Sequence, residues 1–298
     1  MAALSKIADK KQKRKNTTSN LQQIQNAAKT MFANIRFQSI DKDLKTLLMT
    51  SSVPDEGKTT TAWYLAQAAA TAGNRVLLVE ADMRRRSLAH MLGLHPKNGI
   101  VSVLTGTAQL RDAIVPTSVQ DLFFMDAEPS VPNPADLLAS KRMAKLNEHL
   151  ATQFDYVLYD TPPVGTFVDA AVLGRIVDGA ILCVRSSGPK RQELMQAYEQ
   201  LAKADVNILG ICSTFTESSG SEYYYSYYYN EEHTKHKGKV ALEAVPQREL
   251  PDELTSTQEP SRTSSPASSR ANARSGRSVP RVPAIEVTED AEAADDAR

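Results

Sequence analysis

Short apolar runs alternate with longer amphipathic segments through the middle of the chain. The apolar runs are TLLMTSS, RVLLVEAD, LFFMDA, YVLYDTPP, AILCVRSS and NILGICSTF. They are apolar throughout rather than at every second position, which is typical of strands buried on both faces of a parallel sheet. Between them lie segments with helical periodicity, TTAWYLAQAAATA, PADLLASKRMAKLNEHLA, TFVDAAVLGRI and RQELMQAYEQLAKA. The alternation predicts an α/β domain with a mostly parallel sheet and helices on both faces.

The same pattern divides the chain into four parts. Residues 1–19 are polar and basic, and we expect them to form a flexible arm. The folded domain is expected over 20–216, and a tyrosine-rich segment follows over 217–230. The remainder, 231–298, is rich in Ser, Pro, Ala and Arg and closes with the acidic block EVTEDAEAADD. Such a segment cannot bury enough apolar surface to offset its ordering entropy, so we expect it to be disordered.

Composition excludes several classes of protein. The 298 residues include 35 Lys and Arg and 35 Asp and Glu, so the formal charge is zero. We therefore do not expect a uniformly basic surface or a nucleic-acid partner. Two cysteines in apolar runs, Cys183 and Cys212, are too few for a disulfide scaffold or a zinc site and indicate reduced core thiols. No stretch approaches the ~18 apolar residues that span a bilayer, and no signal-peptide pattern opens the chain. We therefore expect a soluble, intracellular protein.

A phosphate-binding loop follows the first predicted strand. The segment SVPDEGKTTT has the Gly-Lys-Thr spacing of a Walker A loop, although Ser52 stands where the first glycine usually lies. Between a strand and a helix, such a loop directs its free amides at a phosphate. Lys58 is expected to reach the β- and γ-phosphates, and Thr59 to place its hydroxyl on Mg²⁺. The predicted nucleotide-binding residues of the loop are Pro54, Asp55, Glu56, Gly57, Lys58, Thr59 and Thr60.

Two further predicted strands end in acidic side chains. VLLVEADMRRR places Glu80 and Asp82 two residues apart and so on the same side of the strand, and YVLYDTPP places Asp160 at the end of another. Ligands of parallel sheets bind at the carboxyl ends of the strands, so we expect the three acids beside the phosphate loop. Carboxylates at that position would hold Mg²⁺, directly or through water.

These motifs resemble those of the bacterial tyrosine kinases (BY-kinases) of capsular and exopolysaccharide synthesis, over roughly residues 23–229. The family's Walker B segment is an apolar strand ending in Asp-Thr-Pro-Pro, which stands here unchanged at 160–163. Its second-strand motif is Asp-x-Asp-x-Arg, which matches at Asp82 and Arg84, with Glu80 in place of the first Asp. The related partitioning and septum-positioning ATPases carry a lysine where Val53 lies here, which argues against them.

The resemblance implies a P-loop protein-tyrosine kinase that uses ATP and Mg²⁺. The catalytic residues it implies are Lys58, Glu80, Asp82 and Asp160, with Thr59, Asp82 and Asp160 as the metal ligands and Arg84 as an additional nucleotide-binding residue. Glu80 is the candidate base that accepts the phenol proton.

A tyrosine cluster follows the last predicted strand, in the sequence SSGSEYYYSYYYN. In the family that this chain resembles, such a segment is the autophosphorylation substrate and is phosphorylated mainly between neighbouring molecules. The phosphoacceptors implied here are Tyr223, Tyr224, Tyr225, Tyr227, Tyr228 and Tyr229.

Partners are also implied by the resemblance. The stand-alone members of the family are cytoplasmic, lie at the inner face of the membrane, and are activated by the cytoplasmic tail of a transmembrane polysaccharide co-polymerase. Self-association and a cognate phosphotyrosine phosphatase are further expectations, and the activity would regulate polysaccharide synthesis and export. The family's assembly helix, Glu-x-x-Arg-x-x-Arg, should fall at Asn26, Lys29 and Phe32, none of which matches.

Two other functions stay open on the residues alone. A P-loop ATPase switch that positions a membrane polysaccharide assembly would hydrolyse ATP without forming phosphotyrosine. A non-catalytic regulator would result if Glu80 and Ser52 disable the site, and it would bind nucleotide without turnover.

Overall fold

A seven-stranded sheet organises the residues that the computed structural model describes, 2–39, 42–129 and 131–216. The strands are β1 (Thr46–Ser51), β2 (Val76–Glu80), β3 (Ile114–Pro116), β4 (Leu122–Met125), β5 (Tyr156–Asp160), β6 (Gly179–Arg185) and β7 (Ile208–Thr214). Their order across the sheet is β3-β4-β2-β5-β1-β6-β7. Only β3 runs antiparallel to its neighbour among these strands. The predicted parallel sheet is therefore confirmed.

Six of the seven strands coincide with the six apolar runs of the sequence. All residues of β1 and β2 are buried, because helices cover both of their faces. The seventh strand, β3, was not predicted: it has three residues and ends at Pro116. It lies at the edge of the sheet, where a residue without a backbone N–H is tolerated.

Nine helices surround this sheet in the described part of the chain. They are α1 (Ala2–Gln38), α2 (Lys58–Thr71), α3 (Leu88–Leu92), α4 (Ile100–Thr105), α5 (Leu110–Ala113), α6 (Pro134–Leu138), α7 (Lys141–Gln153), α8 (Asp169–Gly174) and α9 (Arg191–Lys203). The segment predicted as one helix, PADLLASKRMAKLNEHLA, is divided into α6 and α7. The break lies at Ser140, whose hydroxyl accepts a hydrogen bond from Met143 N and so caps α7.

Helix α1 differs from the expectation for the N-terminal region. Residues 2–19, expected as a flexible arm, are helical and continuous with the rest of α1. No Gly or Pro interrupts this stretch, and its Ala, Lys and Gln residues favour a helix. Farther along α1, Ala28, Phe32 and Ile35 are buried in the core.

Two apolar layers flank the sheet. Leu47 and Met49 of β1 pack with side chains of α1, α2 and α3 on one face. The alternate residue, Leu48, faces the layer that contains side chains of α4, α5, α7, α8 and α9. This arrangement confirms the helices predicted on both faces and turns the carboxyl ends of β1, β2 and β5 toward a common edge.

The tyrosine cluster and the predicted tail, residues 217–298, lie outside the described residues. None of the described helices is both long enough and apolar enough to cross a membrane.

Candidate active site

The phosphate loop occupies residues 52–57, between β1 and α2. Gly57 is the residue before α2 and has φ 79°, in the left-handed region that favours glycine. A Cβ at this position would also lie 3.3 Å from Cε2 of Phe215, so a side chain would be crowded as well as strained. Asp55 has φ 62° and lies exposed at the tip of the loop beside Pro54.

Glu56 turns into this loop instead of toward a ligand. Its buried carboxylate accepts hydrogen bonds from the backbone N–H groups of Ser52 and Val53, at 2.7 and 2.9 Å, and from the Ser52 hydroxyl at 2.7 Å. The other carboxylate oxygen accepts from Arg185 N at 3.1 Å, at the end of β6. Glu56 thus holds the loop in shape, and Ser52, the departure from the usual glycine, is one of its donors.

Lys58 lies between two strand-end carboxylates. Its Nζ is 3.1 Å from Oδ2 of Asp82 and 3.4 Å from Oδ1 of Asp160. The neighbouring Thr59 hydroxyl donates to the other oxygen of Asp160 at 2.6 Å. The structure therefore brings together four of the residues singled out in the sequence, around a point at the carboxyl ends of β1, β2 and β5.

Burial and charge act against each other at this point. Burial alone would lower the pKa of Lys58, but Asp160 and Asp82 outweigh it, so the pKa is raised and the side chain is a cation. Burial also raises the pKa of Asp160, against the opposing effects of Lys58 and the Thr59 hydroxyl. A buried charge that depends on movable side-chain partners is poised to exchange them for a charged ligand.

Glu80 is opposite Asp160 in the register of β2 and β5, and it has different partners. Its Oε2 accepts hydrogen bonds from Ser87 N and Leu88 N, at 2.8 and 2.9 Å, where α3 begins. Its Oε1 has a longer contact of 3.3 Å to Asp82 N. Burial, followed by the charge of Asp160, raises the pKa of Glu80 to about 8. Through these hydrogen bonds the Glu80 side chain holds the turn over 81–88, which includes Asp82, in shape.

Arg84 is held away from the phosphate loop. Its guanidinium donates to both oxygens of Asp169, at 3.1 to 3.3 Å, and lies 4.2 Å from the ring centre of Phe167. Asp169 is fully buried at the start of α8. The structure thus connects the second-strand motif to α8 and does not turn Arg84 toward Lys58. Asp169 and Phe167 were not predicted as site residues, although both lie in the run TFVDAAVLGRI that follows the Asp-Thr-Pro-Pro motif.

Phe215, which was not predicted as a site residue, lies at the edge of the phosphate loop. Its exposed ring lies beside Gly57, and the Arg185 guanidinium stacks 4.5 Å from the ring centre. Just before it, the Thr214 hydroxyl donates to the backbone oxygen of Glu56 at 2.8 Å. The end of β7 therefore borders the phosphate loop. Of the remaining loop residues, Thr60 is exposed in the first turn of α2.

The oxygen atoms around Lys58 fit a magnesium ion. Within the described ranges, no group of three or more His, Cys, Asp or Glu side chains is arranged to hold a metal by itself. Two carboxylates and a hydroxyl do converge, from Asp82, Asp160 and Thr59. Mg²⁺ takes hard oxygen ligands and usually completes its shell with water and the phosphates of a nucleotide, so this partial donor set suits it.

Comparison with known proteins places the chain among P-loop proteins and kinases. A family model described as "AAA domain" matches residues 45–185. Tyrosine-protein kinase YwqD of Bacillus subtilis (strain 168) is 35% identical over 198 residues, which cover 66% of this chain and 84% of that protein. Tyrosine-protein kinase CpsD of Streptococcus pneumoniae serotype 4 is 33% identical over 181 residues, 60% of this chain and 80% of the relative. The crystal structure of the chimerical protein CapA2B2 superposes with a TM-score of 0.61 at 28% identity, covering 64% and 84% of the two chains.

Proposed function

This chain belongs to the bacterial tyrosine kinases of capsular and exopolysaccharide synthesis, and from that premise we propose that it transfers the γ-phosphoryl group of ATP to the tyrosines at 223–229. Membership of the family makes it a protein-tyrosine kinase, as its motifs predicted. One observation carries the proposal: Lys58 Nζ lies 3.1 Å from Asp82 and 3.4 Å from Asp160. The cation suited to phosphate and the carboxylates suited to a metal therefore meet at one point.

The phosphate loop would bind the nucleotide through its backbone and one cation. The free N–H groups at the start of α2 suit an anion, and Gly57 leaves room for its close approach. Lys58 would exchange its contacts with Asp82 and Asp160 for the phosphates. Phosphoryl transfer requires positioning and charge neutralisation more than covalent participation of the protein, so these residues supply most of what the reaction needs.

Thr59, Asp82 and Asp160 would hold Mg²⁺, which when bound neutralises charge on the β- and γ-phosphates. Glu80 is the proposed acceptor of the phenol proton. Its raised pKa, about 8, lies near neutrality, where a general base is most effective, and its Oε1 accepts one hydrogen bond, a long one, from the described residues. Because the carboxyl group is fully buried, the turn over 81–88 must move before a phenol reaches it.

The tyrosine cluster is the proposed phosphoacceptor, presented mainly to a neighbouring molecule. Strand β7 runs parallel to β6, so its end at Thr214 lies at the nucleotide edge of the sheet. The eight residues from Phe215 to Tyr223 can span at most about 28 Å, which keeps the cluster within reach of this edge. Each phosphotyrosine would add about −1.5 to −2 charges, and we propose that the repulsion weakens self-association.

We also propose a membrane-bound activator. The partner would be the cytoplasmic tail of a transmembrane polysaccharide co-polymerase, which would keep the kinase at the inner face of the membrane. Phosphorylation and its reversal by a phosphatase would then regulate polysaccharide synthesis and export.

Phosphotyrosine formation tests this function directly. Purified full-length protein would be incubated with ATP and Mg²⁺, with and without the co-polymerase tail, and the modified residues would be mapped by mass spectrometry. We expect phosphate on the tyrosines at 223–229 and more of it with the tail. Hydrolysis of ATP without phosphotyrosine would indicate a P-loop switch instead, and nucleotide binding without turnover would indicate a non-catalytic regulator.

A further inference from the structure

The two cysteines of the chain face each other across neighbouring strands. Cys183 of β6 and Cys212 of β7 are direct partners in the parallel register. Neighbouring strands lie about 4.8 Å apart, and side chains at paired positions of a parallel sheet point to the same face. This separation falls within the Cα–Cα range of disulfides, about 4.4 to 6.8 Å.

Their surroundings differ in access to solvent. Cys183 is fully buried in the layer beneath α2, whereas Cys212 is partly exposed because β7 is the edge strand. The two sulfur atoms are in hydrogen-bond contact with each other and with the hydroxyl of Thr61, in the first turn of α2. A small oxidant can therefore reach Cys212 first, with Cys183 directly behind it.

From this geometry we propose that Cys212 and Cys183 form a peroxide-sensitive pair, in which oxidation joins β6 to β7 through a reversible disulfide. The proposal concerns a modification site outside the phosphoryl-transfer machinery; formation of the disulfide is independent of the proposed function, and its effect on nucleotide binding rests on that function.

The acidity of the two thiols suits this order of events. The pKa of Cys212 is lowered because the Cys183 thiol donates a hydrogen bond to its sulfur. The pKa of Cys183 is raised by that same bond and by burial. The thiolate is the reactive form of cysteine, so the exposed member of the pair is also the more nucleophilic one.

The reaction balances with hydrogen peroxide as the oxidant. The Cys212 thiolate attacks one peroxide oxygen, the O–O bond breaks, and a sulfenic acid and hydroxide result. Cys183 then attacks the sulfenic sulfur, the S–O bond breaks, and its proton and the hydroxide leave as water. Two thiols and one peroxide give one disulfide and two waters, and an added dithiol reverses the step.

The new bond would act on the phosphate loop. A disulfide brings the sulfur atoms to about 2.05 Å, so both side chains must rotate out of their present positions, which disturbs the contact with Thr61. The Thr61 hydroxyl donates to Gly57 O at 2.9 Å, and Thr214 at the end of β7 donates to Glu56 O at 2.8 Å. Both hydrogen bonds hold the loop, so we expect oxidation to weaken nucleotide binding about three- to tenfold.

Thiol chemistry on the full chain tests the pair. Because the chain has two cysteines in all, reduced protein should show two free thiols, and stoichiometric peroxide should bring the count to zero in the monomer. Peptide mapping should find Cys183 joined to Cys212, and dithiothreitol should restore both thiols. Persistence of two free thiols, or a disulfide between chains, would overturn the proposal.

Single variants separate the two roles. In Cys183→Ser, a sulfenic acid at Cys212 should form and be trapped by dimedone, with no disulfide. In Cys212→Ser, the buried Cys183 should stay reduced under the same peroxide treatment. Faster oxidation of Cys183 than of Cys212 would contradict the assigned order.

Nucleotide binding is the functional readout. The affinity for a fluorescent ATP analogue would be compared in oxidised and re-reduced wild-type protein, with the Cys183→Ser, Cys212→Ser double variant as the control for unrelated oxidation. We expect weaker binding in the oxidised wild type alone. A disulfide that leaves its affinity unchanged would refute control of the phosphate loop.

Discussion

Glu80 and Asp160 end the neighbouring strands β2 and β5, opposite each other in the parallel register, and both are fully buried. Their partners are different. Asp160 contacts the ammonium group of Lys58 and the hydroxyl of Thr59, both at the start of α2. Glu80 instead accepts its two shortest hydrogen bonds from backbone N–H groups at the start of α3.

The difference shows which buried carboxylate is available to a ligand. Backbone N–H groups leave Glu80 only if the turn itself moves, so in this structure Glu80 holds residues 81–88 in shape and is less available to a metal ion than Asp160. Lys58 and Thr59 can rotate or exchange partners, so Asp160 can replace its contacts with a metal ion. A buried acid at a strand end is therefore insufficient to identify a metal ligand. Whether its hydrogen-bond donors are backbone amides or movable side chains determines whether it can bind a metal ion.

Removing the cation that Asp82 and Asp160 share should have the largest effect on activity. We expect Lys58→Met to reduce phosphotyrosine formation by about 10³-fold, because no other cation contacts both Asp82 and Asp160 among the described residues. The measurement is autophosphorylation followed by anti-phosphotyrosine blotting. Lys141→Met, at an exposed position on α7, is the matched control and should retain activity. Undiminished phosphotyrosine formation in Lys58→Met would contradict the assignment of Lys58 as the phosphate-binding cation.

Neutralising Asp160 should have the next largest effect. Asp160→Asn preserves the shape but removes the charge that would hold Mg²⁺, and we expect turnover to fall about 10²-fold with a higher Mg²⁺ requirement. The control, Asp155→Asn, lies at the other end of β5, where its carboxylate accepts from Arg75 N. Turnover as a function of Mg²⁺ concentration distinguishes the two. An unchanged Mg²⁺ dependence in Asp160→Asn would indicate that another carboxylate holds the metal ion.

Glu80→Gln tests the role of the other buried carboxylate. Glutamine keeps an oxygen for the amides at the start of α3 but cannot accept a proton, so we expect nucleotide affinity to be kept and transfer to slow by about tenfold. Glu80→Asp keeps the carboxyl group and shortens the side chain, and it should restore part of the rate. Equal rates for Glu80→Gln and wild type would show that the phenol needs no base here and leave Glu80 a positioning residue.

The features that depend on short stretches of sequence were predicted correctly. Six strands and the convergence of Lys58, Thr59, Asp82 and Asp160 follow from apolar runs and from acids at strand ends. The sequence did not predict that Glu56 turns inward, because its donors include Arg185 N, 129 residues away and adjacent only in the folded sheet.

The pairing of Arg84 with Asp169 was missed for the same reason. The two residues are 85 positions apart and meet only because α8 follows β5 at the same edge of the sheet. Local pattern therefore indicates which residues reach the edge, and tertiary packing decides which of them face the ligand.

The smallest expected effect is on stability as a function of pH. The pKa of Glu80 is raised from 4.5 to about 8 in the fold, because burial and Asp160 disfavour its charged form. The folded protein thus holds a proton that the unfolded chain releases above pH 4.5. The contribution to stability is fully present below pH 4.5 and is lost as the pH rises through about 8. We expect the melting temperature of the wild type to fall by about 10 °C more than that of Glu80→Gln over this window. Asp160 also has a raised pKa and is present in both proteins, so the difference between their thermal melts reports Glu80 together with its interaction with Asp160. Parallel curves for the two proteins would mean that Glu80 is ionised throughout, held as a carboxylate by the amides at the start of α3.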